Sequence, residues 1–331
     1  MNHQLKLLFP VLCLLALPLA HADRAFPSSA DEYYEPVRTV SKKKINAVLP
    51  VKKGGMLAVG YDFSGSALLL ENTLGRGWVP LDTGSTQELK DIWAASPSTF
   101  YIVGAKGTIL QTTSGGKTWK ALSSGTAENL FAVWGAGKDL FAVGDSGVIL
   151  HSSNKGKTWE SQKSGTSVIL NGVWGTSAKD VYAVGFHGTI LHSTDTGKTW
   201  TSLSSGTKSH LSGLYLSNKE LYVSGQDGAL LHSKDNGVTW ASFATGTKEW
   251  LSSVLVQNDA IWSVGAKGTI LYSSDHGKTW VTQNSGTKDN LTQITGTNTE
   301  LLISSGEAAV LKSTDGGASW SQLYRNSPTA K

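Results

Sequence analysis

Four aspartates hold the same place in a repeated turn. Asp195, Asp235, Asp275 and Asp315 each sit in the pattern Ser-x-Asp-x-Gly-x-Thr-Trp, with Ser319 replacing the threonine in the last copy. Carboxylates of this kind could act as acid, base or nucleophile in glycoside cleavage, which needs a pair about 5–5.5 or 6.5–9.5 Å apart. One carboxylate per repeat, on successive units, does not make such a pair. The local physics gives a different role. Asp, Asn or Ser accepts hydrogen bonds from backbone N–H groups of a turn, and glycine adopts positive φ. Asn154 and Ser114 replace the acid in two further copies, and only Gly75-x-Gly77-Trp78 survives in the first. These aspartates and the tryptophans Trp119, Trp159, Trp200, Trp240, Trp280 and Trp320 are therefore read as structural Asp boxes. No catalytic residue is assigned.

Residue type and spacing argue against other chemistry. A sialidase grips a carboxylate with clustered arginines, whose planar fork matches it. This chain has Arg24, Arg38, Arg76 and Arg325, and only Arg76 falls inside the repeats. His151, His192 and His232 share one repeat position in three successive units. Rotation between units should hold them too far apart for zinc, which needs nitrogens at about 2.0–2.1 Å, so no metal is expected. Asp145, Asp227 and Glu307 occupy one set of turns, and Asp62 adds a fourth carboxylate. They are the material for the rival reading, a glycosidase or glycan-binding module. The single cysteine, Cys13, lies in an apolar leader. No phosphate-binding glycine loop or nucleophile elbow is present, and no cofactor is expected.

The elements that carry these residues follow from an internal period. Trp78, Trp119, Trp159, Trp200, Trp240, Trp280 and Trp320 are spaced by 41, 40, 41, 40, 40 and 40 residues. The fourth unit shows the plan: Leu170-Asn171-Gly172-Val173-Trp174-Gly175, Val181-Tyr182-Ala183-Val184-Gly185, Gly188-Thr189-Ile190-Leu191-His192-Ser193, then the Asp box and Ser205-Gly206-Thr207. Each unit holds four short β-type runs separated by glycine or polar turns. Four strands per unit of about 40 residues predict an all-β, seven-bladed β-propeller with four antiparallel strands per blade. The blades span 45–323. Residues 23–44 are read as a linker or added edge strand, and 324–331 as a C-terminal tail.

Residues 1–22 read as a signal peptide: Lys6, an apolar stretch from Leu7 to Leu19, and Ala20-His21-Ala22 before Asp23. The stretch is shorter than the roughly 20 residues that span a bilayer. The mature chain is thus expected to be periplasmic or secreted, without disulfides. A net charge of +4 with no basic run gives no reason to expect nucleic acid as a partner.

Binding chemistry on a rigid scaffold is usually placed on its loops. In blades two to six the second and third strands are joined by Gly-x-x-Gly turns whose central pair varies, placing Lys106, Asp145, His187, Asp227 and Lys267 on one face. In blade one this loop is longer and carries Tyr61, Asp62 and Phe63. Trp250 ends an inter-blade linker that belongs to the same face. These nine residues are the candidate partner-binding set. Lys208, Lys248 and Lys288, repeated in the linkers, are read as a solvated edge.

Val173-Trp174-Gly175, Tyr182-Ala183-Val184-Gly185 and the run from Asp195 to Trp200 carry a resemblance to the photosystem II assembly and stability factor family, also described as BNR or Asp-box propellers. It covers about 45–323, and the chain resembles non-photosynthetic bacterial members. The resemblance implies a non-enzymatic, monomeric scaffold or assembly factor that binds a partner protein, a membrane protein or complex.

Overall fold

Short apolar runs that end at glycine turns cannot bury both faces alone, so they pair and then stack. The computed structural model describes residues 43–51, 54–62, 64–73, 77–217, 219–297, 299–307 and 309–325. These belong to one unit, Val37–Lys331. They form seven sheets of four antiparallel strands in sequence order. Blade four is typical: Leu170–Ser177 innermost, then Asp180–Gly185, Thr189–Ser193 and Thr201–Ser204 outermost. The expected seven-bladed propeller is what the chain forms. Among the described residues the helical elements are single 3₁₀ turns, and no helix is long and apolar enough to cross a membrane. The proposed signal peptide and residues 23–42 lie outside the described residues.

Seven apolar clusters hold the ring, one between each pair of neighbouring blades. Between blades three and four, Trp134, Phe141 and Ile149 meet Leu170, Val181 and Leu191. The seventh cluster joins Ile45, Val48 and Met56 of blade one to Leu302 and Val310 of blade seven. Polar contacts close the same seam: the Val48 N–H donates to Gln293 Oε1 at 2.8 Å, and the Thr292 hydroxyl donates to the Ile45 carbonyl at 3.1 Å. Each of the seven period-defining tryptophans, Trp78 to Trp320, packs on the cluster between its own blade and the preceding one.

The ends differ from the sequence boundaries. The first strand runs Lys43–Val51, so Lys43 and Lys44 belong to blade one rather than to a linker. The last runs Ser321–Arg325, and Tyr324, expected in a tail, packs its ring 5.5 Å from that of Trp78. Trp200 meets Phe141 and Trp280 meets Phe243 of the preceding blade in the same way, so the contact continues the inter-blade packing across the closure.

Candidate functional site

The inner strand of each blade begins beside the inter-blade linker and carries an irregularity there. Pairing with the second strand slips just after the first apolar residue, between Ile45 and Ala47, Leu89 and Asp91, Leu170 and Gly172, and Leu251 and Ser253, with equivalent shifts in the other blades. Such bulges re-aim a side chain and occur beside functional sites. Here they set Asn46, Lys90, Phe131, Asn171, Ser212, Ser252 and Thr292 around the mouth of the central channel. These mouth residues were not among the sequence candidates. A signal existed: the position varies in type directly after a constant Leu or Ile.

The turns on this face are welded to the linkers. In blade four the Phe186 N–H donates to the Ile169 carbonyl at 2.9 Å, and the Gly188 N–H to the Ser209 carbonyl at 2.9 Å. The second central residue of each of five turns, Lys106, Ser146, His187, Asp227 and Lys267, takes a left-handed φ of 52–59°. Glycine must follow it: a Cβ on Gly188 would lie 2.1 Å from the Thr207 carbonyl oxygen, at φ +70°. The central N–H then reaches the next linker. Lys106 donates to Asn129 Oδ1, His187 to His210 Nδ1 and Lys267 to Asn290 Oδ1, all at 3.0–3.1 Å. The backbone is thus held while the side chains of Lys106, His187, Asp227 and Lys267 stay exposed.

Two side-chain groups stand out on this face. Across blades four to six, the His210 ring stacks on Phe186 at 4.0 Å, meets His187 at 4.9 Å and lies 6.1 Å from Trp250. Burial, then the His187 charge, lower the His210 pKa. The bond from the His187 N–H to Nδ1 fits the same conclusion, a neutral imidazole with its proton on Nε2. Across blades one to three, Lys44 and Lys90 lie 5.5 and 6.0 Å from the centre of the Tyr61 ring, and Lys90 lies 5.6 Å from Phe131. Glu88 pairs with Lys90 at 2.9 Å and accepts from Asn46 Nδ2 at 3.2 Å.

Several sequence candidates sit differently from their expected place. Tyr61 and Asp62 end the second strand, Gly55–Asp62, and are half-buried rather than on a free loop. Asp62 Oδ1 accepts from the Ser64 and Ser66 N–H groups and the Ser64 hydroxyl, so it caps its own turn. Phe63 lies outside the described residues. Trp250 is half-buried and donates its indole N–H to Ser212 Oγ at 2.7 Å. Asp145 is 5 % exposed, and Asn129 donates to its Oδ2 at 2.8 Å, so it supports the linker instead of facing solvent. Lys267 pairs with Glu249 at 3.0 Å.

The channel is narrow, with a volume of about 260 Å³. Trp93, Trp174 and Tyr215 line its deeper part, and buried Trp134 backs them. Trp93 and Trp174, from blades that are not neighbours, touch edge to face at 5.4 Å, and Trp174 stacks on Tyr215 at 5.4 Å. Above them lies Asp91, whose Oδ1 and Oδ2 accept from the Ile92 N–H at 2.8 Å and the Val133 N–H at 3.0 Å. Burial pushes its carboxyl up to about 6 despite those two donors. The hydroxyl of Ser252, also on the wall, is buried without a hydrogen-bond partner.

The opposite face holds the aspartate turns. Asp195 accepts from the Thr199 N–H at 2.9 Å and the Thr199 hydroxyl at 2.6 Å, and Asp235, Asp275 and Asp315 repeat this. Those donors lower their pKa values, to about 2 for Asp235, Asp275 and Asp315; the Thr239 hydroxyl is the largest cause for Asp235. Asn154 accepts from the Thr158 N–H in the same way at 2.9 Å. A neutral residue in this place shows that the turn does not need the charge. The three repeated histidines are also occupied. His151 pairs with Asp139 and stacks on Phe141, His192 with Asp180 and Tyr182, and His232 with Glu220 and Tyr222, at 2.8–2.9 Å and 4.0–4.6 Å.

A family model described as photosynthesis system II assembly factor YCF48 matches residues 70–172 and 164–252. Among solved structures, YCF48 bound to D1 peptide is similar at 19 % identity and a TM-score of 0.61, over 71 % of this chain and 80 % of that one. YCF48 from Cyanidioschyzon merolae is similar at 19 % identity and 0.68, over 83 % and 97 %. The GH74 xyloglucanase from Xanthomonas campestris reaches 0.69 at 13 % identity, over 88 % of this chain but 57 % of that one. At these identities the structural likeness shows the fold alone. A search of curated protein sequences returns no match.

Proposed function

Because the chain belongs to the photosynthesis system II assembly factor YCF48 family, we propose that it is a non-enzymatic, exported scaffold that binds a peptide segment of a partner protein. The partner would be a subunit of a membrane complex. One observation carries the reading. The linker face presents aromatic and basic side chains, Tyr61, Lys90, Phe131, His187, His210 and Trp250, on a backbone already fixed by turn-to-linker hydrogen bonds. Aromatic anchors on a rigid support lose little entropy on binding, and they dominate many interfaces. A peptide is also what YCF48, of the same fold, was captured with.

The rival, glycoside cleavage, needs two available carboxylates on this face. Of the four carboxylates the sequence offered for it, Asp145 is buried against Asn129 and Asp62 caps its own turn, which leaves Asp227 and Glu307 on separate turns. The test is capture from detergent-solubilised membranes of the source cell, with a polysaccharide-cleavage assay alongside. One enriched membrane subunit supports the scaffold. Polysaccharide cleavage with no enriched protein overturns it.

A further inference from the structure

The channel holds chemistry that the rim reading does not use. At the third position of the inner strand, a side chain bridges to the N–H of the next blade in three places. Asp91 bridges to Val133, Ser253 to Ile294 at 3.3 Å and Gln293 to Val48. A neutral hydroxyl and a neutral amide therefore perform the bridging that Asp91 performs. The carboxylate exceeds that structural need, and its desolvation is a cost the fold would avoid by using serine. A carboxylate has about four acceptor sites, and the two N–H donors use two of them.

Its surroundings state what would use the rest. Trp93, Trp174, Tyr215 and Phe131 line the same cavity, and aromatic faces attract cations. Ser252 Oγ adds a buried acceptor with no partner. Lys90 also lines the cavity, but Glu88 at 2.9 Å balances its charge. The channel therefore presents one negative charge, an aromatic floor and a spare hydroxyl within about 260 Å³. That is smaller than the roughly 300–1,000 Å³ of drug-sized sites, so the occupant is small.

The geometry points to the central channel as a binding site for a primary alkylammonium group, its charge held by Asp91 and Ser252 and its carbon chain against Trp93, Trp174 and Tyr215. The group comes either from a free amine or from a lysine side chain of a partner. Four channel aromatics make intrinsic fluorescence the readout, and the full mature chain is titrated with three probes. These are n-butylammonium chloride, acetyl-Gly-Lys-Gly-amide, and butan-1-ol as the uncharged match.

Saturable binding of n-butylammonium is expected, at least tenfold weaker in Asp91→Asn and severalfold weaker in Ser252→Ala. Butan-1-ol should give no saturable signal. Asp91→Ser, which copies the bridge that blade six makes with Ser253, guards against loss of fold and should also lose the amine. Binding of the lysine peptide as well assigns the site to a partner's side chain; binding of butylammonium alone assigns it to a free amine. Butan-1-ol binding as tightly as butylammonium, or amine binding unchanged in both folded Asp91 variants, overturns the proposal.

Discussion

On one face of the ring, Asp195, Asp235, Asp275 and Asp315 make the same hydrogen bonds four times, and Asn154 imitates them. On the other face, the equivalent turn position holds Lys106, Ser146, His187, Asp227 and Lys267, over one shared backbone. The first face spends its side chains on its own turns and on the neighbouring blade. The second fixes its turns through backbone donors and linker carbonyls, which frees the side chains to differ. The proposed function places recognition on the face where identity is not needed for folding.

Substitutions should split along this line. Trp200→Ala removes an indole packed on the cluster between blades three and four, 6.3 Å from Phe141. It should cost about 3–5 kcal/mol in denaturant unfolding. A loss under about 1 kcal/mol would show that these tryptophans do not lock the ring. Next is Asp91, which breaks the symmetry from inside the channel. Its folded pKa near 6 exceeds the unfolded value near 3.8. The folded state therefore holds the proton more tightly. The linked stability is fully present below pH about 4 and is lost as pH rises through about 6. Relative to Asp91→Asn, the wild type should lose roughly 2–3 kcal/mol across that window. A flat difference between the two proteins would refute it.

The turn aspartates titrate in the opposite sense. Their folded pKa values are lowered, to about 2 in three of them. Their contribution is present above the unfolded value and is lost as pH falls from about 4 towards 2. Asp235→Asn should therefore leave the pH 7 unfolding midpoint almost unchanged, as Asn154 suggests, and flatten the acid limb. A large loss at pH 7 would mean that the charge itself holds the turn. The smallest effect belongs to Lys106→Ala and Lys267→Ala, within about 0.5 kcal/mol of wild type by thermal melting. A larger shift would place these lysines in the fold rather than in recognition.

The ring itself could be read from residue spacing, because the period of Trp78 to Trp320 repeats a unit that cannot bury itself alone. The linker face was harder to read. Gly-x-x-Gly marks the turns, but nothing local shows that Asp145 folds back on Asn129 or that Trp250 reaches Ser212, 38 residues and one blade away. The variable position that holds Lys90 and Phe131 was visible in the sequence, but where it points was not. A bulge changes where one side chain points without changing the apolar pattern around it. Asp91 reads as an ordinary strand residue until six other inner strands surround it.

The division between the faces can be measured in one experiment. Capture of the proposed partner from solubilised membranes is compared for wild type, for Lys106→Glu with Phe131→Ser, and for Asp235→Lys with Asp275→Lys, after circular dichroism shows all three folded. Capture should be lost in the linker-face pair and kept in the turn-face pair. Capture kept by the first and lost by the second would place recognition on the aspartate-turn face and contradict the account.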